Sequence, residues 1–216
     1  MIKLVIFDMD GVLVDSEPAI TQASIDSLRE AYGIEAKHED FKEFTGMGDD
    51  KFIQGAAGKY GKGYDVKLKL RAYEIYTAHK ERVKVFPRAK DLIQDLIYSG
   101  FMCAVASASD LVKVKVNIEM INLDEPIKTI ITGTDVKNKK PDPEIFLKAA
   151  EAAGIPPANS LVIEDAISGV QAAKAAGMTC IGVTTSFGRD ILLESGADYV
   201  VNELYDAYEI IKNLEK

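Results

Sequence analysis

IKLVIFDMDGVLVDSE, residues 2 to 17, sets an apolar run against two carboxylates spaced one residue apart. The run from Ile2 to Phe7 predicts a buried strand, and it ends at Asp8 and Asp10. Acid at the mouth of a hydrophobic core costs free energy unless a cation or hydrogen-bond donors compensate. In extended backbone, residues two apart face the same way, so both carboxylates are expected in one crevice. Two anions this close raise one pKa sharply unless a cation lies between them. A hard divalent ion with oxygen ligands, Mg²⁺ above all, meets that need. A calcium loop is the competing explanation. Its pattern asks for a preceding helix and a glycine at the sixth position, whereas here a strand precedes and Gly11 is fourth, counted from Asp8.

Similar strand-like runs recur at FMCAVAS (101 to 107), IKTIIT (127 to 132), SLVIED (160 to 165), TCIGVTT (179 to 185) and ADYVV (197 to 201). Between them, apolar residues three and four apart in RAKDLIQDLIYSG and PEIFLKAAEAAGI predict helices, each closed by glycine. Strand and helix in alternation predict an α/β fold, a doubly wound parallel sheet covered on both faces. The alternation fails once. From Asp15 to about Val85 the text is helical only, EPAITQASIDSLREAYGI and DVKLKLRAYEIYTAHKERV, joined by the glycine-bearing FTGMGDDKFIQGAAGKYGKG. We therefore expect an all-helical insertion over residues 16–85, carried by a core of residues 1–15 and 86–216. Ligands of such sheets bind beyond the carboxyl ends of the strands, where this insertion would sit as a lid. Neither glycine-rich nucleotide-binding motif is present, so GMGDDKF is read as a loop connecting helices.

The totals constrain function only mildly. At 216 residues, with 47% hydrophobic and 28% charged residues, the chain has ordinary globular composition and room for one large domain or a domain with an insertion. A net charge of −8 disfavours nucleic acid or an anionic membrane as the main partner, while a local basic pocket for a small anion stays open. Cys103 and Cys180 lie in apolar runs without a CxxC or Cys/His cluster, and a reduced, buried, structural role is expected. No stretch approaches a membrane span and the start of the chain does not read as a signal region, so a cytoplasmic location is expected.

A second acidic strand end occurs in VIEDAISGVQAAKAAGM. Glu164 and Asp165 follow an apolar strand and precede a helix, so Asp165 reads either as a helix N-cap or, beside Asp8 and Asp10, as part of a shared cation site. Two more strand ends carry complementary groups. The Ser107 hydroxyl, with backbone N–H groups at Ala108 and Ser109, suits an anionic oxygen; the alternative is capping of the next helix by Ser109 or Asp110. In VKNKKPDPEIF, Lys140 precedes Pro141, which restricts the backbone before it. Lys140 reads as an anion clamp or as part of a solvated charge run.

DMDGVLVDSE, VASAS, KKPDPEIFLKAA and VIEDAISGVQAAKAAGM, in this order and spacing, resemble the four motifs of the haloacid dehalogenase-like hydrolases, in the β-phosphoglucomutase-like branch with a helical cap. The resemblance covers essentially the whole chain and implies a Rossmann-like core. It implies Asp8 as nucleophile, Asp10 as general acid and base, and Ser107 and Lys140 as ligands of phosphoryl oxygens. It further implies Mg²⁺ held by the Asp8 side chain, the Asp10 backbone carbonyl and Asp165, with Glu164 as a ligand or as support behind the ligands. An attacking carboxylate that forms an aspartyl-phosphate agrees with general chemistry, as does charge neutralisation of the transferring group.

Several residues depart from the branch. Dehalogenases lack an acid at the second motif position, so Asp10 points to a phosphate ester. The mutases carry a cap-hinge histidine where Ile20 stands and a cap arginine where Asp49 stands, and an acid there would repel a second phosphate. The expected activity is hydrolysis of a small phosphorylated metabolite, a sugar phosphate or a phosphoglycolate-like compound, by a monomer or weak homodimer. Mutase activity is the alternative, and a catalytically silent regulatory protein would show degraded motifs. Lys139 replaces a usual glycine and competes with Lys140 for the site, and adjacency to Pro141 favours Lys140. The loop FTGMGDDKF, through Gly46 and Lys51, is expected to set substrate choice. His38 and His79 lack ligand-spaced partners and read as packing or surface residues.

Overall fold

The computed structural model describes residues 1–44 and 48–214. Its centre is a six-stranded sheet of β1 (Leu4–Phe7), β4 (Met102–Ala106), β5 (Thr129–Ile131), β6 (Ser160–Glu164), β7 (Thr179–Val183) and β8 (Tyr199–Val201), in the order β5-β4-β1-β6-β7-β8. All five pairings are parallel. The chain thus runs outward from β1 to one edge and then to the other, which is the doubly wound order whose switch point lies beside β1. Each expected strand is present and shorter by one to three residues.

Burial on both sides explains the continuous apolar text of β1. Leu4 and Ile6 pack with α6 (Glu144–Ala153), α7 (Ile167–Ala175) and Leu192 of α8 (Arg189–Glu194). Val5 and Phe7 belong to the opposite layer with α4 (Ala89–Tyr98), α5 (Leu111–Ile121) and α9 (Ala207–Leu214). Alternate residues of one strand feed two cores. Cys103 and Cys180 are free and buried, Cys180 in the layer of Leu4 and Ile6 and Cys103 in that of Val5 and Phe7.

Three helices, α1 (Glu17–Tyr32), α2 (Asp49–Lys59) and α3 (Val66–Ala78), follow β2 (Val14–Asp15) and precede β3 (Lys84–Val85). Left-handed Gly33 ends α1, and the Asp65 carboxylate caps α3 by accepting from the Lys67 N–H. Helix α2 corrects the reading of FTGMGDDKFIQGAAGKYGKG as a connecting loop. Gly55 is there for packing: a Cβ at that position would lie 2.4 Å from the Phe44 ring. The pair β2 and β3 escaped the sequence reading as well, since two residues per strand show no alternation. They are antiparallel, with Val14 opposite Val85 and Asp15 opposite Lys84.

Candidate active site

The site lies where β1, β4 and β6 end. The Asp8 N–H donates to the Ile163 carbonyl at 3.0 Å, which extends the β1–β6 pairing one residue past the strand and holds Asp8 at the mouth of β6. Asp8 is buried, as are Glu164 and Asp165. Lys140, from the loop after β5, places Nζ 2.5 Å from Asp8 Oδ1 and 2.7 Å from Glu164 Oε1. Glu164 Oε2 accepts from the N–H groups of Asp165 and Ala166 at 2.7 Å each, and Asp165 Oδ2 accepts from the Ser186 hydroxyl. Ala166, not Asp165, occupies the N-cap of α7.

Two glycines make room for this cluster. A Cβ on Gly11, whose φ is +87°, would stand 1.9 Å from Asp165 Oδ2, and one on Gly169 would stand 1.6 Å from Glu164 Oε1. One oxygen from each of Asp8, Glu164 and Asp165 fits within 4.8 Å of the others. Three carboxylates therefore face one ammonium. Burial, with repulsion from Glu164 and Asp10 added and Lys140 opposing, pushes the Asp8 carboxyl up to about 7. Burial and the charges of Glu164 and Asp8 raise Asp165 well above its ordinary value. Burial alone would lower Lys140, but Asp8 and Glu164 outweigh it and hold the ammonium above its usual range. Surplus anionic charge on converging hard oxygens is what a small divalent cation complements, so this donor set fits Mg²⁺.

Asp10 belongs to a different set of contacts. Its Oδ1 accepts from the Ser16 hydroxyl, from Lys113 Nζ at 3.1 Å and from Asn117 Nδ2 at 3.4 Å. Its Oδ2 accepts from Ser109 Oγ at 2.9 Å. Burial would raise this carboxyl, but Lys113, Ser16 and Ser109 together hold it below the usual carboxylate range. The Asp10 side chain is thus turned to donors and lies outside the three-carboxylate cluster. Asp10 and Val14 also form an isolated bridge, which ties the acid to the start of the β2–β3 pair.

Ser107 is buried at the end of β4, where its Oγ accepts from the Ser109 N–H at 3.1 Å. That leaves the Ser107 proton to donate elsewhere. Asp110 occupies the N-cap of α5 without a capping bond and instead meets Lys69 Nζ at 3.0 Å. The Ala108 carbonyl lies against Gly133, where a Cβ would stand 2.1 Å from it. Lys139 Nζ donates to the Gly133 carbonyl at 2.6 Å, so Lys140 rather than Lys139 reaches the acidic cluster. Lys51 is exposed on α2, and Gly46 lies outside the described residues. Asp49 accepts from the Tyr73 hydroxyl at 2.7 Å and from the Asp110 N–H at 3.3 Å. His38 lies 3.4 Å from Gln22 Oε1, and His79 the same distance from Glu81.

The sequence reading missed Ser16, Lys113, Asn117 and Ser186. For two of them a signal existed. Lys113 and Asn117 share the buried stripe of α5 with Val114, Val116 and Ile121, and a lysine and an amide on an apolar stripe need buried partners.

Residues 5–183 match the family model described as haloacid dehalogenase-like hydrolase. The protein suppressor of quenching 1, chloroplastic, of Arabidopsis thaliana is 39% identical over 94% of this chain, which spans 20% of that protein's length. A phosphoglycolate phosphatase of Pseudomonas fluorescens is 32% identical over 89% of this chain and 74% of its own. The crystal structure of a β-phosphoglucomutase from Clostridium difficile shares the fold, with a TM-score of 0.81 at 24% identity over 99% of this chain and 96% of that one. The match from β1 through β7 takes in both acidic strand ends and the Lys140 that joins them, and this chain belongs to the haloacid dehalogenase-like hydrolase family.

Proposed function

We propose that this chain is a Mg²⁺-dependent phosphatase that hydrolyses a small phosphorylated metabolite through a phosphorylated Asp8. The observation that carries the reading is Lys140 Nζ set between Asp8 and Glu164, with Asp165 completing a three-carboxylate cluster at the sheet's switch point. The phosphoglycolate phosphatase of P. fluorescens supports phosphate-ester hydrolysis, with a phosphoglycolate-like ester or a sugar phosphate as the proposed substrate.

Asp8, Asp165 and the Asp10 carbonyl would hold Mg²⁺, with Glu164 as a further ligand or as support behind them, and the ion would supply positive charge to the transferring phosphoryl group. Asp8 attacks phosphorus with one carboxylate oxygen, and the bond from phosphorus to the ester oxygen breaks. Asp10, once it has taken up a proton against the hold of Lys113, Ser16 and Ser109, delivers it to that departing oxygen, then takes one from the water that attacks the aspartyl-phosphate and frees inorganic phosphate. Lys140 and the Ser107 proton stabilise the equatorial oxygens. Residues 16–85 are assigned to the cap and residues 1–15 with 86–216 to the core, a division that the antiparallel pairing of β2 with β3 supports. Ala108 and Ser109 contribute contacts to the phosphate, the Ser109 N–H by exchanging its Ser107 partner, and Lys51, with Gly46 outside the described residues, sets substrate choice.

Phosphatase is preferred to mutase activity because Asp49 presents an acid where a second phosphate would need a cation. Among the described residues no helix is long and apolar enough to cross a membrane. A cytoplasmic monomer or weak homodimer with no nucleic-acid or membrane partner completes the proposal, to be checked by fractionation and gel filtration. The main test is phosphate release from a panel of phosphate monoesters with Mg²⁺, with and without a bisphosphate primer, and acid-quenched intact mass to catch the adduct. Phosphate release without primer and a phosphorylated peptide containing Asp8 are expected. A primer requirement without free phosphate, or an adduct elsewhere, overturns the reading.

A further inference from the structure

We infer that Tyr76 and Asn117 are positioning residues for Asp10, a buried relay through which the helix α3 sets the aim of the acid. The inference rests on the phosphatase reading above and extends it to residues outside the four motifs. The Tyr76 hydroxyl, carried by α3, donates to Asn117 Oδ1 on α5, and Asn117 Nδ2 stands 3.4 Å from Asp10 Oδ1. Tyr76 is 1% exposed and Asn117 fully buried. Two polar groups inside the contact between α3 and α5 cost stability compared with an apolar pair of the same shape, unless each is satisfied.

The direction of the relay follows from the amide. A side-chain amide accepts at one end and donates at the other. With Tyr76 donating to Oδ1, the NH₂ end is the one left to face the carboxylate. Without that hydroxyl the carbonyl end loses its fixed donor, and the amide is free to turn its oxygen toward an anion that repels it. Lys113, 3.1 Å from Asp10 Oδ1 and 3.2 Å from Ser109 Oγ, and the Ser16 hydroxyl complete the grip on the carboxylate. Asp10 is therefore held by donors from the first-strand loop, from α5 and, through Asn117, from α3. Displacing α3 removes the contact that orients the amide.

The experiment compares two monoesters that differ in their need for an acid. An alkyl phosphate such as phosphoglycolate releases a poor, alkoxide leaving group that needs a proton, whereas p-nitrophenyl phosphate releases a stabilised phenolate that does not. Steady-state kcat and KM are measured with Mg²⁺ for the parent, Tyr76→Phe, Asn117→Leu and the double variant, with Asp10→Asn as the reference for loss of the acid. Tyr76→Phe is expected to lose roughly tenfold in kcat on the alkyl ester, the size of one well-placed hydrogen bond, with KM unchanged and about twofold or less lost on the aryl ester. In the Asn117→Leu background the same substitution is expected to add nothing further, since both act through one relay. Equal losses on both esters, an effect on KM alone, or additive effects in the double variant overturn the relay while leaving the phosphatase reading intact. A parent that releases phosphate from neither ester overturns both. Should Tyr76→Phe fail to fold, the ratio of alkyl to aryl loss in Asn117→Leu decides in the same way.

Discussion

Asp8→Asn should abolish turnover and, in metal-free buffer at pH 8, make the protein more stable than the parent. Asp8 is buried, and its carboxyl is pushed from an ordinary 3.8 up to about 7 by burial and by Glu164, against the pull of Lys140. The sign follows from linkage. Between those two values the native state holds a proton that the unfolded chain has released, so stability falls as pH rises through that window and levels off above pH 7. A rise of about three pKa units corresponds to about 4 kcal/mol. Asparagine keeps the shape and removes the charge, so it should recover most of that amount at pH 8 and almost none near pH 4. For a chain of this length the gain equals roughly 8–16 °C in Tm. Thermal unfolding of both proteins in EDTA from pH 4 to pH 8 measures it. A variant that melts below the parent at pH 8, or a difference that does not grow with pH, would refute the reasoning, because the strain would then not reside in the ionised Asp8.

Mg²⁺ at about 100 times its Kd should stabilise the parent by about 2.7 kcal/mol, read as a rise of roughly 5–10 °C in Tm; the rise should shrink in Asp165→Asn. Gly11→Ala should cost about 1 kcal/mol in backbone strain at positive φ, and its Cβ, aimed at Asp165, should weaken Mg²⁺ binding in titration calorimetry. Lys140→Met leaves Asp8 and Glu164 buried without their cation. It should cost roughly 3–5 kcal/mol in EDTA at pH 8, with less lost at pH 4 and part of the loss restored by Mg²⁺ in the same melts.

The sheet was legible because its strands are buried on both faces, so Leu4 to Phe7 or Leu161 to Ile163 needed no alternation to be recognised. The motif residues were legible for a related reason: acid beside such a run is conspicuous. Legibility failed where one residue serves two demands. Gly55 and Gly58 spoil the helical text of α2, yet the first is required by the Phe44 ring. Tyr76 sits on the apolar stripe of α3 with Leu68, Ala72, Tyr73 and Ile75, and its ring obeys that stripe while its hydroxyl reaches Asn117. Ser186 follows the end of β7 in ordinary loop text, and only the fold brings it to Asp165. Between Lys139 and Lys140, adjacency to Pro141 favoured the second, and the loop's distant neighbours agree. Gly133 takes the first, and Asp8 with Glu164 takes the second.

The segment from Asp8 to Ser16 shows how one stretch of chain can serve both the site and the helical insertion. Asp8 is fixed by the β1–β6 ladder, two residues before Asp10 bridges to Val14, and Val14 pairs with Val85 in the ribbon that leads back from the insertion. Ser16, the last residue before α1, returns its hydroxyl to Asp10. A rotation of the insertion about that ribbon would leave Asp8 where the sheet holds it and would carry Ser16 and Tyr76 with it, while Ser109, Lys113 and Asn117 stay with the core. The two carboxylates therefore differ in what they answer to, one to the sheet alone and the other to the sheet-side donors and, through Ser16 and Tyr76, to the insertion as well. On the proposed chemistry that division is useful. The attacking group has to stay in line with phosphorus throughout, whereas the acid is needed only when a leaving group is enclosed.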